Sequence, residues 1–187
     1  EPRFETRFGT GPVGHTLEYG GRVLGETAHY QQRTGQTTTS WSGTLDAEEM
    51  HRTIALAAYA QDRIAFRDDL LVTPGLRYEH AAFHRLQLRV NGQDVSDAGD
   101  TSSNGLIPGI GMIFGSKTAH AFAGLHMGWA PPRITSSISP KGTPNQVSAE
   151  QNINWEVGGR ISPKKWLKSE LTLFASKFSN QVVANTA

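Results

Sequence analysis

Apolar and polar residues alternate with a period of two through most of the chain, in eight segments. Alternation of that period marks strands whose two faces meet different surroundings. The first segment runs up to Phe8. Segment 15–30 sets Leu17, Tyr19 and Val23 against Glu18, Arg22 and Glu26. Segment 53–66 sets Ile54, Leu56, Ala58, Ala60, Ile64 and Phe66 against Tyr59, Gln61 and Arg63. Segment 71–83 sets Val72, Leu76 and Tyr78 against Thr73, Arg77 and Glu79, and segment 106–114 sets Leu106, Ile110 and Met112 against Gly109 and Gly111. The last three are the most regular. Segment 120–129 sets Ala121, Ala123, Leu125, Met127 and Trp129 against His120, Gly124, His126 and Gly128. Segment 152–161 sets Ile153, Trp155, Val157 and Ile161 against Asn152, Asn154, Glu156 and Arg160. Segment 167–178 sets Leu171 and Leu173 against Lys168, Glu170, Thr172 and Ser176. The only competing helix signal is one turn at residues 46–50.

The joints alternate too. Residues 9–14, 67–69, 115–118 and 162–166 make short ones, while 33–51, 85–105 and 131–150 make long polar ones. In an up-and-down sheet every second joint lies on the same side. Short joints on one side and long ones on the other are the build of a transmembrane β-barrel, with tight periplasmic turns and long extracellular loops. A soluble β-sandwich shows the same local alternation with its apolar face turned inward. Three features favour the barrel. Segments of nine to sixteen residues reach the ~9–11 that cross a bilayer. Charge is nearly absent from the apolar parity, and its exceptions, Asp62 and Lys177, lie towards segment ends. Aromatic residues flank both sets of joints: Phe66, Phe114 and Trp166 the short ones, Tyr30, Trp129 and Trp155 the long ones. Pro74 and Pro108 lack ladder donors and call for bulges.

Composition narrows the function classes. The 187 residues carry a net charge of +1, which gives nucleic acid no electrostatic purchase, and no cysteine, which removes disulfides and thiolate chemistry. Mean hydropathy is -0.41, and no run of about 18 apolar residues offers a transmembrane helix. The first residues read as strand and not as a secretory signal. No G-x-S-x-G elbow and no phosphate-binding glycine loop is present, so no enzyme is expected. His120 and His126 share a face without a third metal ligand. Asp94, Asp97 and Asp100 lack calcium-loop spacing and read as a solvated loop.

Several stretches resemble one family. Ala58-Tyr59-Ala60-Gln61-Asp62 followed by Val72-Thr73-Pro74-Gly75-Leu76-Arg77-Tyr78-Glu79 is similar to a barrel hairpin of TonB-dependent outer-membrane receptors. So are Gly128-Trp129-Ala130-Pro131-Pro132-Arg133, the run from Asn154-Trp155-Glu156 to Arg160, and Glu170-Leu171-Thr172-Leu173-Phe174 through Gln181. The opening, Glu1-Pro2-Arg3 through Tyr19-Gly20-Gly21-Arg22, resembles the ferric dicitrate and siderophore branch.

The resemblance implies an all-β antiparallel barrel section of about eight strands, lying in the outer membrane of a Gram-negative bacterium. It implies a receptor for ferric citrate or siderophore chelates, no cofactor, and energy from the TonB complex reaching it through a plug. Family barrels have ~22 strands around that plug. Residues 1–187 are therefore expected to be a partial barrel domain without the plug, a middle-to-late slice whose last residues, 182–187, lack the family's terminal aromatic. Anionic chelates suit Arg, a forked carboxylate donor. The expected ligand contacts are Arg33, Arg52 and Arg133 at the bases of long joints, with Gln31 and Gln32. The expected structural charges of the lumen are Glu18, Arg22, Arg77, Glu79, Glu156 and Arg160. A small passive or structural barrel and a soluble β-sandwich binding module are the alternatives.

Overall fold

The computed structural model describes residues 1–180; the expectation for residues 182–187 lies outside them. Eight strands form one antiparallel sheet in which each pairs with the next in sequence. They are β1 (Arg3–Thr10), β2 (Val13–Thr34), β3 (Thr44–Arg67), β4 (Leu70–Val90), β5 (Gln93–Gly115), β6 (Ala119–Ala130), β7 (Glu150–Lys164) and β8 (Leu167–Ser179). A four-residue helical turn, α1 (Ile134–Ser137), lies in the β6–β7 connection.

Register joins the local alternations into two continuous faces. One row crosses all eight strands as Phe8, His15, Ile64, Val72, Met112, Ala123, Val157 and Leu173. The opposite parity gives Glu5, Glu18, Gln61, Gly75, Gly109, His126, Asn154 and Ser176. A slip of one residue at any joint would have crossed the faces. The register shifts fall near strand ends, so both faces persist through the middle of the sheet. Leu76, Leu106, Val157 and Leu171 on the apolar face are all exposed. That face is a broad apolar surface of the kind that meets lipid or a partner.

The polar face is knitted by aromatic rings lying on glycines. A Cβ on Gly20 would come within 2.9 Å of the Tyr59 ring, and one on Gly158 within 2.4 Å of Phe122. The Trp129 ring covers Gly105 in the same way, at 2.6 Å. Each glycine leaves a slot that the neighbouring ring fills, so these are packing positions rather than flexible ones.

Several expectations change. The β2 to β5 strands are 21–24 residues long. At about 3.3 Å per residue they far exceed a ~30 Å hydrocarbon layer. Two of the three long joints are therefore mostly strand. The first shrinks to residues 35–43, and the second to the pair Asn91-Gly92. Both residues of that pair have positive φ, 51° and 76°, as a tight hairpin turn requires. Asp94, Asp97 and Asp100 consequently stand in β5, not in a loop. Residues 46–50 are strand, not a helical turn, because their partners in β2 and β4 take up their backbone groups. The third joint, 131–149, remains a long connection.

Neither proline sits at a bulge. Pro108 falls just beyond the end of the β5–β6 ladder, and Pro74 faces a gap in the β3–β4 ladder. A missing N–H costs nothing where no acceptor waits. The aromatic flanks also change. Phe66, Phe114 and Trp166 stand exposed beside the short turns, and Trp155 is exposed on the apolar face. Tyr30 instead turns to the polar face and packs on His51, ring centroids 4.7 Å apart. Trp129 covers the inner side of Gly105. Both rings find a neighbour there that lipid would not supply.

Candidate functional site

The β2–β3, β4–β5 and β6–β7 connections open at one end of the sheet, opposite the four short turns. The ends of β2 to β5 rise there beyond the apolar belt, which stops near Tyr78 and Leu106. Past those residues the outer parity carries His80, His84, Asp100, Ser102 and Asn104. This projecting part of the sheet is the mouth.

Its inner side is covered by the β6–β7 connection. Ile138 is fully buried there against Ala81 and Phe83, with Ala55 and Ile134 packed around them. Ala81 and Phe83 belong to the otherwise polar parity; they can be apolar because the connection shields them. The carbonyl of Arg133 accepts bonds from the Ser136 and Ser137 amides and from the Ser137 hydroxyl, closing α1. Gly142 has φ +74°, and a Cβ on it would lie 2.1 Å from the Ala98 carbonyl oxygen. The segment thus touches β5 backbone to backbone.

A buried cation ties this cover to the wall. Arg85 donates from Nε to Glu49 Oε2 at 2.7 Å and from Nη1 to the Ile138 carbonyl at 2.6 Å. Its Nη2 lies 2.5 Å from the same carboxylate oxygen, with His51 Nε2 3.3 Å from it. Gln87 donates to the carbonyls of Glu48 and Arg89, tying two strands at the next level.

The expected ligand contacts do not converge. Arg33 stands exposed at the rim and donates to the Gly43 carbonyl at 3.4 Å. Gln32 pairs with Ala47 on the inner parity. Arg133 is exposed on the covering segment. Arg52 is on the outer parity beside His84, which is 2.8 Å from Asp100. Gln31 also faces outward and donates to Glu48 at 2.9 Å, where His29 sits 2.7 Å away. Those two bonds, Gln31 first and then His29, hold the Glu48 carboxyl below the usual carboxylate range.

Glu18, Arg22, Arg77, Glu79, Glu156 and Arg160 share the polar face. Glu18 pairs with Arg3, Arg77 with Glu79 at 2.5 Å, and Arg160 with Glu170 through an Nε bond of 2.7 Å. Glu156 lies over Gly124, and Arg22 is exposed. His120 and His126 are on this face too. Among the described residues no group of three metal-ligating side chains forms.

Sequence reasoning missed Arg85, Glu49, His51 and Ile138, which it had placed in loops. The signal that could have found Arg85 was Asn91-Gly92, a strong hairpin dipeptide, with alternation continuing up to it through Leu86, Leu88 and Val90.

The profile of the family described as "TonB dependent receptor-like, beta-barrel" matches residues 2–187. The chain belongs to that family. Barrels of TonB-dependent receptors are outer-membrane structures, which accounts for an apolar face turned outward. Solved structures agree on the fold. The unliganded ferric citrate transporter FecA superposes with a TM-score of 0.81 at 24% identity, covering 98% of this chain and 27% of FecA. The ferric-catecholate import receptor Fiu from E. coli K12, in its open form, gives 0.72 at 16% identity, over 94% of this chain and 29% of Fiu. Its closed form gives 0.76 at 17%, over 98% and 31%. The chain therefore spans less than a third of each receptor. No curated protein sequence matches it.

Proposed function

We propose that this chain is a wall section of an outer-membrane receptor that binds ferric chelates, ferric citrate or a siderophore complex, and imports them with energy from TonB. The observation that carries the reading is the two-faced eight-strand register crowned by a covered mouth, in a chain matched by the receptor-barrel family over residues 2–187. FecA and Fiu, which share the fold, are by their descriptions a ferric citrate transporter and a ferric-catecholate import receptor.

Residues 1–187 form part of the barrel domain, in the outer membrane of a Gram-negative bacterium, with lipid on the apolar face. Coupling to TonB falls to a plug domain and not to this sheet. Arg33, Gln32 and Arg133 are the proposed chelate contacts, since they stand at the rim, on the inner wall and on the cover. Arg52 and Gln31, turned outward, suit lipopolysaccharide or the solvated rim better. Glu18, Arg22, Arg77, Glu79, Glu156 and Arg160 serve as structural charges of the inner wall.

The test is uptake of radiolabelled ferric citrate, and of a ferric catecholate, by cells whose only receptor is the full-length protein. TonB-dependent accumulation of either is expected. Outer-membrane protein that accumulates no ferric chelate would sink the import reading.

A further inference from the structure

From the buried Arg85 we infer that the β6–β7 segment, residues 131–149, is a fixed brace across the inner wall of the mouth, and that Arg85 is the residue that positions it. The guanidinium splits its donors between the wall, at Glu49, and the cover, at the Ile138 carbonyl. A planar guanidinium held by a carboxylate along its Nε and Nη2 edge has one direction left for its remaining nitrogen, Nη1. That donor meets the residue on which the apolar cluster closes, since Ile138 is fully buried between Ala81 and Phe83.

The cover has stiffness of its own. Ile138 bridges to Pro144, and Asn145 donates through its amide to the Ser137 carbonyl at 2.7 Å and through Nδ2 to Ser136 at 3.0 Å. Gly99 and Gly142 allow contact where side chains would collide. Charge, apolar burial and backbone fit act on one segment. None of them requires a bound ligand, so the brace is set before any chelate arrives and carries the exposed Arg133 and Lys141 at fixed places. Mobility in the mouth falls instead to residues 35–43, where Thr37, Thr39 and Ser40 bond to one another.

Trypsin cleavage after Arg133 and Lys141 reads the brace directly, using full-length protein in outer-membrane vesicles without ligand. Cleavage of the wild type is expected to be slow. Arg85→Gln should speed it about tenfold or more, the scale of losing bonds to a charged group. Glu49→Gln, which leaves Arg85 unheld, should also speed it, and Arg160→Gln should not. Ile138→Ala releases the same segment from the cover side without altering a strand residue or a charge, so it reports even if an Arg85 variant fails to assemble. If Arg85 only stitched β3 to β4, its variant would lower the unfolding temperature while cleavage stayed as in the wild type. That result, or wild-type cleavage in Ile138→Ala, overturns the brace. Both readings are made without chelate, so they stand apart from the outcome of the uptake test.

Discussion

Asp62 shows how one residue can break the dominant pattern and still be accommodated. It lies on the apolar parity, where an unpaired carboxylate is costly. His15 Nδ1 sits 2.6 Å from its Oδ2, Thr10 Oγ1 lies 2.8 Å from His15 Nε2, and the Phe8 ring stacks on the imidazole at 4.7 Å. His15→Ala should therefore lower the unfolding temperature in detergent, by the equivalent of about 1 kcal/mol for a half-buried carboxylate left without its partner. In the Asp62→Leu background the same change should cost much less. Equal losses in the two backgrounds would show that the pair is not what tolerates the charge.

The glycines give a second contrast between single residues. Gly158→Val would push into the Phe122 ring and the Leu171 carbonyl, whereas a Cβ on Gly111 meets nothing within 4 Å. The first change should destabilise by about 1–3 kcal/mol, as overpacking does, and Gly111→Ala should stay within about 0.5 kcal/mol. Heat-modified gel migration across a temperature series separates them. Comparable shifts would mean that the rings are not seated on the glycines.

At the scale of elements, the β4–β5 hairpin turns on two residues. Gly92 has φ +76° and open space around its Cβ position, so Gly92→Ala isolates the cost of left-handed backbone, about 1–2 kcal/mol. Thermal unfolding should show that loss without any change in the apolar belt; an unchanged midpoint would refute the turn. The β2–β3 hairpin is instead held at its tip by Glu48. Its carboxyl is lowered by Gln31 and His29, so it binds its proton more weakly folded than unfolded. The stabilisation it gives is complete above its unfolded value and lost as pH falls through the lower folded one. A nitroxide at Thr38 should gain mobility over that acid range, and at higher pH in Gln31→Ala. Identical profiles in the two proteins would remove Glu48 from the hairpin's support.

At the scale of the molecule, the apolar face sets the solvent. A sheet with Leu76, Leu106, Val157 and Leu171 exposed on one side should need detergent to remain dispersed. A monodisperse, detergent-free protein would contradict a lipid-facing wall. The opposite face, lined by Arg77–Glu79 and Arg160–Glu170 pairs, tolerates water and fits the inside of a barrel.

Alternation between apolar and polar residues by itself determined the strands, their up-and-down order and the two faces, because side-chain direction in a strand depends only on parity. Joint length marked the end with four short turns, although the two-residue β4–β5 turn lies at the other end. Tertiary structure decided how far the strands run beyond the belt, since neighbouring strands, not local preference, keep residues 46–50 and 93–105 extended. It alone turned Trp129, of apolar parity, inward over Gly105. Above all it brought Arg85 to Ile138, 53 residues away in sequence. A buried bond of that span depends on the fold of the whole sheet, and no local pattern of residues encodes it.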